Sequence, residues 1–240
     1  MLRRLVEAID RTPVLAGLAH AARIRWYRWT FRGSQAYWES RYRGGGTSGG
    51  GSAGRLAGFK AEVVNALVCE HKIASVVEFG SGDGNQLVLA DYPRYIGLDV
   101  ARAAIQRCSG RFAGDRTKSF FLYDPFCFLD HERVFHADLA LSLDVIFHLI
   151  EDAAFEAYMR HLFAAADRFV VIYSPDSEGS TVHCAPYPHM RLRAFTPWVR
   201  ANCPAWTLVR RIPNRYPYDA ENPAGTSMAD FFNFQKGAAR

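Results

Sequence analysis

The segment Val76–Leu87, VVEFGSGDGNQL, constrains the fold more than any other stretch of the chain. An apolar strand predicted over Ser75–Phe79 runs directly into Gly80, Gly82 and Gly84 on alternate positions. Glycines so placed let the backbone turn sharply and let a ligand approach main-chain N–H groups with no Cβ in the way. The spacing then separates ligands. A dinucleotide fingerprint needs its third glycine three residues after the second, where this chain has Asn85, and no GK[ST] run of a Walker loop occurs. A second strand, Tyr95–Leu98, ends at Asp99, 21 positions after Glu78. A carboxylate there can accept from both hydroxyls of a ribose. Dehydrogenases share that acid, so it discriminates only together with the ExGxGxG bend.

The rest of the pattern predicts an α/β fold. Leu56, Phe59, Val63 and Leu67 form a helical stripe through Glu70. A helix follows over Ala101–Phe112, strands over Ser119–Tyr123 and Asp138–Leu143, a helical region from Val145 through Ala166, and a fifth strand at Phe169–Tyr173. Alternating elements of these lengths imply a parallel sheet covered on both faces. Two further strands, Trp206–Ile212 and Met228–Phe234, read as an antiparallel hairpin at the sheet edge. Residues 1–33 read as one or two helices broken near Pro13, and Ala36–Arg43 as a short helix. Gly44–Gly54 has seven glycines in eleven residues, which suits either a flexible linker, engineered or not, or a native anion-cradling loop or lid hinge. The expected division is a helical arm and loop over 1–54 and a catalytic domain over 55–240.

Charge is uneven along the chain. Net charge is +5, yet residues 1–60 hold ten arginines and one lysine against Glu7, Asp10 and Glu39, so the body is net acidic. A body that gripped RNA along its length would carry the positive charge itself, which argues against a nucleic-acid partner. The five cysteines are scattered with no CxxC pair, giving neither a disulfide framework nor a cysteine zinc site and fitting a reducing cytoplasm. No apolar run is long enough to span a bilayer, and the apolar stretch near Thr12–Ala22 lacks the basic leader of a signal peptide.

From about Arg55 to the C terminus, the glycine bend, the ribose acid and the closing hairpin resemble the class I S-adenosylmethionine-dependent methyltransferases. The resemblance implies a Rossmann-like sheet of seven strands with the last antiparallel. It implies that Gly80, Ser81, Gly82, Asp83 and Gly84 border the methionine part of S-adenosylmethionine, with Glu78 orienting the loop. Asp99 would hold the ribose and Val100 flank the adenine. Asp124, in FFLYDPF, would approach the adenine amino group, although a turn-forming role beside Pro125 accounts for it equally well.

The fourth strand bears on the acceptor. Base-amine methyltransferases carry an Asn/Asp-Pro-Pro-aromatic element there, whereas this chain has SLDVIFHLIED, Ser142–Asp152, closer to the small-molecule and O-methylating branches. A hydroxyl nucleophile benefits from a base, and His148 has that chemistry, with Asp144 four residues earlier to fix its tautomer or the acceptor hydroxyl. A buried structural histidine is the competing reading. After the fifth strand, HCAPYPHMRLR places His183, His189, Arg191 and Arg193 together as a polar acceptor pocket, an ordinary loop, or a metal site whose spacing matches no zinc signature. No metal ligands are assigned, and magnesium is kept as an optional assistant.

The segment Tyr37–Ala61 further resembles the N-terminal part of a bacterial methyltransferase group associated with polysaccharide synthesis. That resemblance implies a lid closing over the cofactor, with Tyr37, Trp38, Ser48 and Lys60 as lid or carboxylate contacts. It points to sugar O-methyltransferases, including mannoside 1-O-methyltransferases, with Trp38 and Trp198 suited to stacking on pyranose faces. The implied partner is a sugar or oligosaccharide. A homodimer, and a contact of the basic arm with a glycan-synthesis enzyme or a membrane surface, are compatible with it.

Overall fold

The computed structural model describes residues 31–178 and 187–237, together with Arg25 and Trp29. Of the helices expected over 1–33, Arg25 and Trp29 are helical, residues 31–33 are not, and the rest, with His183, lies outside the described residues. Seven strands form one sheet: β1 (Val76–Phe79), β2 (Tyr95–Asp99), β3 (Lys118–Leu122), β4 (Ala137–Leu143), β5 (Ala166–Ser174), β6 (Trp206–Ile212) and β7 (Asp230–Lys236). Their order is β3-β2-β1-β4-β5-β7-β6. The first five run parallel, and β7 is antiparallel to both β5 and β6. The fold is therefore the Rossmann-like α/β architecture expected.

The helices are α1 (Ser34–Arg43), α2 (Gly54–Glu70), α3 (Arg102–Arg111), α4 (Asp152–Ala164) and α5 (Phe195–Asn202). Period-two alternation sorts the strands between two cores. Val77, Phe79, Ala140, Val170 and Ile172 meet Phe155, Met159 and Leu162 of α4 and Phe195 of α5. Val76, Leu139, Leu141 and Val171 meet Phe59, Val64 and Leu67 of α2 on the other face. Among the described residues, no helix is long and apolar enough to cross a membrane.

One expectation is corrected. The helical region expected from Val145 through Ala166 is split into a 3-10 turn, Ile146–His148, and α4. Asp144 lies at φ 60, outside helical space, and the carbonyls of Leu149 and Ile150 accept from the Arg193 guanidinium instead of propagating a helix. No α-helix follows the glycine bend, only the 3-10 turn Leu87–Leu89. Pro93 ends that segment before β2, and the Asn85 and Gln86 side chains are drawn back to the carbonyls of Ser52 and Ala57.

Helix α1 has no side-chain cap of its own and no acid in its first turn. Glu151, 117 residues away at the entry to α4, supplies it: Ser34 donates its N–H (3.0 Å) and its hydroxyl (2.7 Å) to the Glu151 carboxylate. Glu39 returns the favour to α3 by accepting the Ala103 N–H at 3.1 Å.

Gly84 sits at φ 74, and a Cβ there would lie 2.8 Å from the Phe112 ring and 3.0 Å from Cys108 Sγ. Gly84→Ala is expected to cost about 1–3 kcal/mol from backbone strain and overpacking, seen as a lower urea midpoint. An unchanged midpoint would show that the bend relaxes freely.

Candidate functional site

The C-terminal ends of β1, β2 and β4 open on a cavity of about 270 Å³ at the point where strand order reverses, the usual ligand crevice of an open α/β sheet. Alternation along β1 and β2 directs Glu78 and Asp99 to the same face, and both are buried. Asp99 ties the bend to the second strand, accepting the Gly82 N–H at 2.9 Å and the Ala101 N–H at 2.8 Å. Each of its oxygens then keeps a lone pair for a further donor. Glu78 accepts the Tyr95 hydroxyl at 2.6 Å.

Loss of water dominates the acidity of both groups. Burial pushes Glu78 up to about 7, offset by the Tyr95 hydroxyl and the Lys60 charge. It pushes Asp99 up to about 6, offset by the N–H groups of Ala101 and Gly82. Neighbouring carboxylates add to each.

The glycine-rich loop is built into this site. Ser48 donates its N–H (3.1 Å) and hydroxyl (2.8 Å) to Asp83, whose own N–H returns to Ser48 Oγ at 3.1 Å. Arg107 holds the carbonyls of Gly46 and Tyr42. At Gly82, φ 60, a Cβ would lie 2.4 Å from Ser48 Oγ, so the two loops meet only because that residue is glycine. Of the readings left open for Gly44–Gly54, the structure has the ordered loop against the cavity.

Lys60 is fully buried on α2 and its Nζ lies 2.6 Å from Asp144 Oδ2, over the Tyr173 ring. His148 has its Nδ1 2.8 Å from the His189 carbonyl. A carbonyl only accepts, so Nδ1 carries the proton and Nε2 is the acceptor. The tautomer role expected of Asp144 therefore falls to the His189 main chain, and Asp144 is engaged with Lys60. Burial pulls His148 down to about 4, partly offset by the His189 carbonyl, and the Arg41 charge lowers it further. Its imidazole is neutral at physiological pH.

Of the residues expected at the site, Trp38, Ser48, Lys60, Glu78, Gly80 and Ser81 line the cavity. So do Gly82, Asp99, Val100, Asp144 and His148. Others are placed elsewhere. Asp83 clamps Ser48 from behind the wall, and Gly84 packs on Phe112. Asp124 makes a turn, its Oδ1 accepting the Phe126 N–H at 2.9 Å, and Pro125 and Phe126 line the cavity in its stead. Arg191 and Arg193 do not line it: both pair with Asp152 (3.1 and 2.5 Å) and bind carbonyls at the turn before α4. Tyr37 and His189 stack on each other at 4.3 Å behind His148. Trp198, half-buried, packs on Phe155 at the edge of the core.

Sequence reasoning missed Tyr42, Gln86 and Glu151, which also line the cavity. Only Tyr42 carried a signal, lying four residues after Trp38 on the same helix face. Among the described residues, no group of three or more His, Cys, Asp or Glu side chains is placed to hold a metal ion.

No protein-family model matches the chain, and no curated protein matches it in sequence at a significant level. Solved structures do match its fold. The methyltransferase domain of bacterial CtHen1 is 21% identical with a TM-score of 0.56, over 75% of this chain and 97% of that one. The N-methyltransferase NodS from Bradyrhizobium japonicum, in complex with S-adenosylhomocysteine, is 16% identical with a TM-score of 0.58, over 75% and 87%. Magnesium protoporphyrin IX methyltransferase (ChlM) from Synechocystis, also with S-adenosylhomocysteine bound, is 15% identical with a TM-score of 0.57, over 76% and 85%. The chain thus adopts the class I S-adenosylmethionine-dependent methyltransferase fold.

The residues present fit that cofactor. Asp99 retains lone pairs for a ribose diol, and the buried Ser81 hydroxyl has no partner among the described residues. The cavity is flanked by carboxylates suited to a cationic ligand.

A carboxyl whose pKa is raised on folding stabilises the fold below its unfolded pKa and loses that contribution as pH rises through the folded value. For Glu78 the window runs from its ordinary 4.5 up to about 7. Cofactor-free Glu78→Gln is therefore expected to match the wild-type urea midpoint at acid pH and exceed it above neutrality, while binding S-adenosylhomocysteine more weakly. Equal midpoints above neutrality would contradict the burial account.

Proposed function

We propose that the protein is an S-adenosylmethionine-dependent O-methyltransferase whose acceptor is a hydroxyl of a sugar or oligosaccharide, in polysaccharide biosynthesis. The observation that carries this reading is the pairing, in one cavity, of the Asp99 cradle with a neutral imidazole whose Nε2 is its remaining acceptor. When bound, S-adenosylmethionine would supply a sulfonium-borne methyl group to the acceptor oxygen in line, with the thioether S-adenosylhomocysteine as leaving group. Asp99 and the glycine bend orient the nucleoside end. His148 takes the proton that the acceptor oxygen sheds as its bond to carbon forms, and the His189 carbonyl stabilises the resulting cation at Nδ1.

A base held near 4 is too weak to ionise a free sugar hydroxyl and acts once methylation has made the oxygen acidic. Trp38 supports a sugar acceptor: its ring lies edge-on to His148 at 4.8 Å and stacks on Tyr42, placing an aromatic wall beside the base. The basic N-terminal segment fits a contact with a glycan-synthesis enzyme or an anionic membrane surface.

The test is release of S-adenosylhomocysteine with oligosaccharide, lipid-linked glycan, phenol and RNA acceptors, with and without magnesium. Turnover is expected with a glycan, and turnover with RNA alone would overturn the acceptor assignment. His148→Ala is expected to lower kcat by about 100-fold or more with donor affinity retained. The wild-type kcat should be flat across neutral pH, with no inflection near that of an ordinary histidine, and an inflection there would remove His148 from the proposed role.

A further inference from the structure

Among the described residues, two polar atoms of side chains lining the cavity have no partner: the Ser81 hydroxyl and the side-chain carbonyl oxygen of Gln86. The Gln86 amide is not free to turn. Its Nε2 donates to the Ala57 carbonyl at 3.0 Å, and because that carbonyl only accepts, the opposite end of the amide must be Oε1. The oxygen is thus buried and unpaired, an arrangement native proteins seldom keep unless something else completes it.

Its position shows what would complete it. Ala57, which holds the amide, and Lys60 lie three residues apart on α2, so Gln86 and the Lys60 ammonium serve the same stretch of wall. That stretch presents a pure acceptor at Gln86 and, at Lys60, an ammonium that its one bond to Asp144 leaves with protons to spare, while the glycine bend adds the Ser81 hydroxyl to the same cavity. A zwitterionic α-amino acid is its complement. The carboxylate of such a group accepts only and finds no bond at Gln86, whereas Lys60 and Ser81 can donate to it. The ammonium donates only and finds its acceptor at Gln86.

We infer that Gln86 is a donor-binding residue whose Oε1 receives the α-ammonium of the methyl donor's amino-acid end. The inference rests on the reading that the donor is S-adenosylmethionine. Gln86 distinguishes the intact donor from truncated adenosine thioethers, and the Ala57 bond fixes which end of the amide is left to accept.

Calorimetry on wild type and Gln86→Met with three ligands tests this. The ligands are S-adenosylhomocysteine, its deaminated analogue, which keeps the carboxylate, and methylthioadenosine, which lacks the whole amino-acid end. The variant is expected to bind S-adenosylhomocysteine about tenfold more weakly and the other two within about twofold of wild type. Equal weakening of all three would mean that the amide merely braces Ala57, and unchanged S-adenosylhomocysteine binding would mean that its oxygen is unused; either result overturns the inference. Should Gln86→Met fail to fold, wild type alone decides, since equal affinity for S-adenosylhomocysteine and its deaminated analogue also overturns it. If wild type binds neither S-adenosylhomocysteine nor methylthioadenosine, the methyltransferase reading falls and this inference with it.

Discussion

The site depends on a carboxylate taken out of water. Asp99 has almost no solvent contact, and the two N–H groups it accepts belong to different segments, the glycine bend and the turn into α3. Removing a carboxylate from water is unfavourable unless donors replace its hydration. Among the described residues the fold supplies two, so the bend and the end of β2 must come together for the acid to be tolerated. Ser48 and Asp83 extend the same logic outward, holding the loop before α2 against the bend.

The second wall works by a different balance. Lys60 is fully buried and is held by Asp144, a residue in left-handed space at the end of β4. A non-glycine residue there is strained, and such strain persists where surroundings over-determine it. Here the surroundings are a cation needing a partner and the Tyr173 carbonyl, which accepts the Asp144 N–H at 2.9 Å. The same geometry turns the chain out of the strand early and makes His148 part of a 3-10 turn, with its ring against the His189 main chain.

The sheet was legible because each strand is a short apolar run separated by helical spacing, and Glu78 and Asp99 were legible because a glycine bend fixes where its flanking acids point. Residues whose role depends on distant partners were not. Arg191 and Arg193 look like an anion pocket in a linear reading, yet carbonyls exposed by the interrupted helix near Leu149 claim them. Trp198 looks like a sugar platform until α5 packs on α4. Gln86 has no local signature at all, since its meaning comes from the Ala57 carbonyl. Asp124 was the reverse case, where the local Asp-Pro turn chemistry outweighed the expectation drawn from resemblance.

Helix α1 illustrates how far a local element can be underwritten from a distance. With glycine at its start and no acid in its first turn, its first N–H and its positive pole are met by Glu151 from beyond β4. A peptide spanning this helix alone would have little reason to be helical in water. Its folding is therefore contingent on the β4–α4 junction already being formed, so the wall that carries Trp38 and Tyr42 should be among the last parts of the molecule to assemble and the first to come apart.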